Sequence, residues 1–349
     1  MNIILRAIRN RFIIVLVEFY GIYFENSLLN WKYHSKQGGK VMTSEQQAAF
    51  SFYPTREQID NWASGLLRKA ENITVDGIIT EDNPIVHAFG NGPNALENRF
   101  VHFQTGEGHT FWGYWQRAIK SPAPLLINLP GYGGYISMHP QISDDNYNIL
   151  HISPLGYISP AGADMDLAMP DGNWPVLHNT AMGLPGGYED WLRDCLLAIR
   201  WAKQRPEVLP GRLSLYGTSQ GGGGSLLLAS LLRDEVQCVC ADLPFLTAFP
   251  LSGLQGEAYG ILKTAYETVP PQEFWNRLGY IDTVSHAHRL TMPVMLSAGG
   301  KDIVCPPTTI EYLFQKLPGT RQFTFLENGI HTHSRQSTYL FRTWLALHA

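Results

Sequence analysis

The chain is 349 residues long, 44% hydrophobic and 12% aromatic, but only 16% charged, against about 25% in an average globular protein. Its net charge of −4 and its lack of any basic block or stripe argue against nucleic acid or an acidic membrane surface as a partner. A surface so short of charge points instead to coverage by a lid or by further copies of the chain.

At the start, Arg6, Arg9 and Arg11 precede the apolar run FIIVLV. The arrangement is like the beginning of a signal peptide. However, Glu18 interrupts it, no small-residue cleavage site follows, and spanning a bilayer takes about 20 apolar residues. Residues 1–41 therefore read as an extension, poorly ordered or docked, ahead of a folded unit at 42–349. Export or anchoring through that extension is the alternative, and stable membrane insertion is not expected.

Thr55 and Gln58 make a capping box for a helix running to about Glu71. Residues 99–118 are two alternating runs about a Gly-Glu-Gly turn, which predicts a β-hairpin. Short continuous apolar runs follow at PLLINL (124–129) and YNILHI (147–152), then helical spacing over 188–204. RLSLYG is strand-like and leads into a helix to about Leu232. VQCVCADL and PVMLSAGG are strands, TTIEYLFQKL a helix, RQFTFLE a strand and RQSTYLFRTWLALH the final helix. This alternation predicts the α/β class: a mainly parallel, doubly wound sheet covered on both faces and entered through an antiparallel hairpin. Two segments fall outside the repeat. Residues 157–187 are rich in Gly, Pro, Asn and aromatics, and irregular loops of that length are usually functional or disordered. Residues from about 246 to 290 carry Phe249, Tyr259, Tyr266, Phe274, Trp275 and Tyr280, a composition suited to a helical cap over a cleft.

The four cysteines, Cys195, Cys238, Cys240 and Cys305, offer no disulfide framework and no CxxC ligand pair. Cys238 and Cys240 fall on one face of a strand. A reducing, cytoplasmic compartment fits best.

Chemistry concentrates at Gly217-Thr218-Ser219-Gln220-Gly221, a G-x-S-x-G motif with a strand before it and a helix after it. Presenting a hydroxyl at the tip of such a turn strains the serine backbone, and its neighbours two residues away must then lack side chains. Gly222, Gly223 and Gly224 let the helix lie tight on the sheet. Other uses of a glycine-rich turn fit less well. A P-loop needs GK[ST] after its glycines, and a dinucleotide site wants an acidic residue after a second strand, for which Asp242 has the wrong spacing. In α/β-hydrolases the acid and the base follow the serine in that order. Asp302 lies after a late strand, and His331 and His333 lie after the last strand. His331, in the loop directly after Gly329, is the first choice as base and His333 the second. The backbone N–H of Gln220, at a helix N-terminus, faces the place where an oxyanion would form. A second donor belongs on the loop after an earlier strand, and PGYGG (130–134) is such a loop. The H-x-H pairs 331–333 and 286–288 raise zinc, but no third ligand presents itself, so no metal is expected.

From about residue 85 onward the chain resembles the acetyl xylan esterase and cephalosporin-C deacetylase family. The likeness rests on PGYGGY, GTSQGGG, ADLPFL, RLTMPVMLSAGGKDIVCPPTT and GIHTH, in that order. It implies an α/β-hydrolase fold, Ser219 as nucleophile, Asp302 as acid, His331 as base and oxyanion donors from the backbone of Tyr132 and Gln220. It also places Pro244 and Phe245 of ADLPFL at the substrate. Members remove acetyl groups from small esters such as acetylated xylo-oligosaccharides, use no cofactor and commonly form homo-oligomers, often hexamers. Two departures stand out. Leu155-Gly156-Tyr157 replaces the family's Arg-Gly-Gln, and Thr332 follows the histidine where Glu is usual. The expected activity is serine-dependent deacetylation of a small ester. The alternatives are a prolyl-oligopeptidase-type peptidase and a non-catalytic protein that keeps the fold.

Overall fold

The computed structural model of the protein describes residues 3–8, 12–17, 42–80, 98–132, 134, 142 and 145–349. Most of the predicted extension, residues 18–41, lies outside the described residues, as do Gly133 and Tyr135 of the PGYGGY run. Within the extension, β1 (Ile3–Ile8) and β2 (Phe12–Val17) pair as an antiparallel hairpin.

Among the described residues the centre is a nine-stranded sheet. Its strands are β3 (Val75–Ile79), β4 (Asn98–Thr105), β5 (Thr110–Gln116), β6 (Ala123–Leu129), β7 (Asn148–Ser153), β10 (Val208–Thr218), β11 (Val236–Asp242), β12 (Val294–Gly299) and β13 (Arg321–Leu326), in the spatial order β13-β12-β11-β10-β6-β7-β5-β4-β3. Strands from β7 to β13 in that order pair in parallel, while β3, β4 and β5 join antiparallel. The numbers β8 (Ile158–Ser159) and β9 (Gly162–Ala163) belong to a small ribbon inside the irregular 157–187 segment.

The helices are where the apolar spacing puts them. Thr55 caps α2 (Arg56–Asn72) and accepts from the Gln58 amide, while Gln58 Oε1 accepts from the Thr55 amide. The shorter α1 (Ser44–Ser51), not predicted from the sequence, has the same box from Thr43 and Gln46. Next come α3 (Val176–Met182) and α4 (Tyr188–Lys203), followed by α5 (Gln220–Leu231), every residue of which is buried. Between β11 and β12 lie α6 (Phe249–Ser252), α7 (Gly256–Gly260), α8 (Lys263–Thr268) and α9 (Pro271–Gly279), which make up the predicted helical insertion. The chain closes with α10 (Pro307–Lys316) and α11 (Arg335–His348). Among the described residues no helix is long and apolar enough to cross a membrane.

Successive strand residues point to opposite faces, and the core divides accordingly. Leu125, Ile127, Leu215, Val239 and Leu296 pack with α4, α5 and α10 on one face. Leu126, Ile149, Tyr216, Cys238, Cys240 and Met295 pack under Phe341 and Trp344 of α11 on the other. All four cysteines are free and buried, and Cys238 and Cys240 share a face as their spacing predicts. Burial on both sides is why these strands read as unbroken apolar runs rather than alternating ones.

The insertion is closed at its root by Asp282, a fully buried carboxylate. It accepts from the amides of Ala248, Phe249 and Val284 and from the Tyr53 hydroxyl. Burial raises the pKa of its carboxyl while those four donors oppose the shift. One side chain thus ties both ends of the insertion to each other and to the turn after α1.

Candidate active site

Ser219 sits between β10 and α5 at φ 59°, ψ −123°. That conformation costs a non-glycine residue about 1–3 kcal/mol and is held only where the surroundings impose it. Here they do. The Ser219 amide donates to the Asp242 carbonyl at 2.9 Å, and its own carbonyl accepts from Gly223 N–H at 3.0 Å and Phe245 N–H at 2.9 Å. The flanking glycines are required: a Cβ on Gly217 would stand 2.4 Å from the Gly221 carbonyl carbon, and one on Gly221 would stand 2.2 Å from the Leu129 carbonyl oxygen.

The predicted partners converge on this hydroxyl. His331 Nε2 is 2.9 Å from Ser219 Oγ, and His331 Nδ1 is 2.8 Å from Asp302 Oδ2. Asp302 Oδ1 accepts the amides of Val304 and Cys305, both at 2.8 Å. A carboxylate can only accept, so Nδ1 carries the imidazole proton and Nε2 is left to accept from the serine hydroxyl. The three residues come from loops after three different strands, β10, β12 and β13, at the same end of the parallel sheet. That end is the usual site-bearing edge of such sheets.

His333, the second choice as base, turns elsewhere. Its Nδ1 meets Asp242 Oδ2 at 2.7 Å and its Nε2 meets Thr338 Oγ1 at 2.7 Å. Asp242, at the end of β11, also accepts from Ser297 Oγ. His333 therefore fastens the His331 loop to the sheet while His331 faces the serine.

The loop after β6 reaches the same place. Gly131 O accepts from Gln220 Nε2 at 3.2 Å, so Tyr132 lies against the first turn of α5. Tyr132 Oη donates to the Trp174 carbonyl at 2.8 Å, and its ring meets Phe245 edge-on at 6.4 Å. Phe245 is 1% exposed and Pro244 is likewise buried. Both sit behind the elbow, where Phe245 continues into an edge-to-face cluster with Phe249 and Tyr259. The departure at 155–157 has its own structure. Leu155 holds φ 62°, its amide donates to buried Asp194, and Tyr157 stacks on Trp174 at 4.6 Å.

Two neighbours of the site had no sequence signal strong enough to single them out. Cys305, three residues after Asp302, is buried against the Ser219 hydroxyl; burial and the Asp302 charge hold its thiol protonated. Tyr188, the first residue of α4, donates to Gln220 Oε1 at 2.7 Å.

The second H-x-H pair is structural. His286 is fully buried, with Nδ1 2.7 Å from Ser230 Oγ and Nε2 2.9 Å from the Tyr280 carbonyl, and His288 pairs with Asp60. Burial, helped by the charges of Arg289 and His288, pushes the His286 pKa down from 6.5 to about 4 against the pull of the Tyr280 carbonyl. The unfolded chain thus binds this proton below pH 6.5, whereas the folded chain refuses it until about pH 4. The stability conferred by the neutral ring is complete above pH 6.5 and drains away as pH falls towards 4, by about 3 kcal/mol. Urea midpoints at pH 7 and pH 4.5 should differ accordingly, and His286→Gln should flatten the difference. An unchanged acid loss in that variant would assign the effect elsewhere.

Comparison with known proteins gives the following likenesses. Residues 187–344 match the acetyl xylan esterase (AXE1) family. The acetyl esterase Axe7A of Xylanibacter ruminicola is 29% identical over 153 residues, which is 43% of this chain and 34% of that protein. The acylamino-acid-releasing enzyme of Arabidopsis thaliana is 26% identical over 161 residues, 44% of this chain and 21% of that protein. The matched segment thus spans about a third of the first of these curated relatives and about a fifth of the second. In three dimensions, acetyl xylan esterase 1 from Thermoanaerobacterium sp. JW/SL YS485 superposes with a TM-score of 0.67 at 20% identity, over 84% of this chain and 94% of that one. The segment that carries Ser219, Asp302 and His331 is thus similar to the acetyl xylan esterase family, and the chain shares the α/β-hydrolase fold of the acetyl xylan esterase structures.

Proposed function

We propose that this protein is a serine carboxylic-ester hydrolase that removes acetyl groups from small esters, acetylated xylo-oligosaccharides among them. The observation that carries the reading is His331 bridging Ser219 Oγ at 2.9 Å and Asp302 Oδ2 at 2.8 Å. Ser219 Oγ attacks the ester carbonyl while His331 Nε2 takes its proton, and Asp302 stabilises the imidazolium so formed. The tetrahedral oxyanion is met by the amides of Tyr132 and Gln220, each contributing about 2.7–4 kcal/mol to the transition state. Collapse expels the alcohol, protonated by His331. A water molecule, deprotonated by the same ring, then releases the acetate, and no cofactor is called for.

The small acyl group is supported by the likeness to acetyl xylan esterases and by close packing at the elbow, where the Phe245 amide donates to the Ser219 carbonyl and Cys305 is buried against the Ser219 hydroxyl. A homo-oligomer in the cytoplasm belongs to the same proposal, supported by the free cysteines and by the family likeness. Rates on p-nitrophenyl acetate, butyrate and octanoate provide the test. The expected result is activity on acetate with a steep fall by octanoate; flat or rising rates would remove the deacetylase assignment.

The match to an acylamino-acid-releasing enzyme favours one second reading, cleavage of an N-acylated amino acid. Acetyl-alanine p-nitroanilide separates the two. The esterase reading expects it to stay intact under conditions that cleave p-nitrophenyl acetate.

A further inference from the structure

We infer that the Gln220 side chain is a positioning residue that aims the Tyr132 amide at the oxyanion. Gln220 thereby serves the oxyanion hole twice, once with its own backbone N–H and once through the neighbouring loop. The inference rests on the esterase reading above and extends it to how the second donor is oriented.

The argument begins with the peptide unit joining Gly131 to Tyr132. A trans peptide is planar, and its C=O and N–H point in opposite directions. Whatever fixes the Gly131 oxygen therefore also fixes where the Tyr132 hydrogen points. That oxygen accepts twice. Gly134 N–H, 3.2 Å away, closes the local turn, and Gln220 Nε2, also 3.2 Å away, reaches it from α5. The first bond shapes the loop; only the second refers it to the element that carries the nucleophile.

The orientation of the Gln220 amide follows from chemistry. A backbone carbonyl cannot donate, so the NH2 group must face Gly131 and Oε1 must face away. Oε1 then accepts from Tyr188 Oη at 2.7 Å. Gln220 is 1% exposed and Tyr188 0%, so water does not compete for either bond. Tyr188 is itself fixed at its other end, where its amide donates to Thr180 Oγ1 at 2.8 Å. The result is a buried strut, Tyr188 to Gln220 to Gly131, in which each group has a single feasible role. On the far side the Tyr132 ring is pinned through its hydroxyl to the Trp174 carbonyl. With the side chain and the preceding carbonyl both held, the Tyr132 N–H has no freedom to turn away. Preorganised donors of this kind act because they need not reorient as charge develops.

The test uses Gln220→Met, which keeps the length of the side chain and removes both polar ends. Tyr188→Phe removes only the anchor and serves if the first variant fails to fold. Kinetics on p-nitrophenyl acetate are paired with inhibition by a methyl trifluoromethyl ketone, whose serine adduct carries the tetrahedral oxyanion. Deleting a whole donor slows such enzymes ~100- to 1000-fold, so misaiming one should lower kcat by ~10- to 100-fold in Gln220→Met, with KM within about twofold. Ketone affinity should fall in step with kcat, and Tyr188→Phe should show the same pattern more weakly. A kcat within about threefold of the parent, or a loss of kcat with ketone affinity unchanged, overturns the strut. A folded parent that neither turns over ester nor reacts with a fluorophosphonate overturns the esterase reading, and the inference with it. An active parent beside unaffected variants overturns the inference alone.

Discussion

Ser219→Ala is expected to slow p-nitrophenyl acetate hydrolysis by up to about 10⁶-fold and to abolish labelling by a fluorophosphonate, with the fold intact. The size follows from the way the three residues act as a unit: without the hydroxyl, the base has no proton to take and the acyl group has no acceptor. Asp302→Asn should lose about 10⁴-fold by a different route. The Oδ1 position of residue 302 is committed to the amides of Val304 and Cys305. An asparagine must therefore keep its oxygen there and turn its NH2 towards His331. Nδ1 would then have to accept, the proton would move to Nε2, and the ring could no longer receive the serine proton. Residual activity above about 1% in Ser219→Ala, well over what a missing nucleophile permits, would mean another group performs the attack. Equal activity in Asp302→Asn would mean that the tautomer is set by something other than this carboxylate.

How much of this was legible in the chain varies with the range of the interactions involved. The G-x-S-x-G elbow, the order of serine, acid and base, and the parallel sheet all leave local marks. The elbow and the sheet depend on backbone positions close in sequence or on apolar periodicity, the order of the three residues on which strand each loop follows, and each appears where the residues placed it. The choice between His331 and His333 had only loop position to go on. The structure separates them by a contact 91 residues distant in sequence, between His333 and Asp242, which no local pattern records. Helix α3 was hidden inside a Gly- and Pro-rich stretch, because its seven residues are too few to show a period. Strand β3 is short and lies at the edge of the sheet, where alternation of half-buried and exposed residues is faint. Asp282 would pass for a surface carboxylate in any composition count. Its role as the knot of the insertion depends on Tyr53, 229 residues away. The Gln220 strut is likewise a meeting of three segments; Gln220 and Gly131 lie within recognisable motifs, but Tyr188, which anchors the glutamine, does not.

Gly223→Ala is the substitution expected to do the most damage to the fold for a single added methyl group. A Cβ there would lie 2.0 Å from the Phe245 carbonyl oxygen and 2.9 Å from its carbon. Both are backbone atoms, which cannot rotate out of the way. Either α5 must lift from the sheet or the 243–246 segment must retreat. That segment is already constrained, since Leu243 and Leu246 hold φ of 47° and 59°. The disturbance cannot stay local, because Gly223 N–H and Phe245 N–H donate to the same Ser219 carbonyl. Overpacking of this kind is expected to lower stability by on the order of 3 kcal/mol. A shift of about 1 Å at the nucleophile should also slow the reaction ~100-fold even in the molecules that fold. Gly65→Ala provides the opposite case within the same protein. It lies in the middle of α2, and a Cβ there meets nothing within 4 Å. Removing a helical glycine with open space around it should raise stability by about 0.5–1 kcal/mol and leave kcat alone. Urea denaturation and kcat on p-nitrophenyl acetate, measured for both variants, place the elbow's demand for glycine on one scale with an ordinary helix. If Gly223→Ala unfolds at the parent's urea concentration with the parent's kcat, then the tight seat of α5 on the segment after β11 is not what holds Ser219 in its strained conformation.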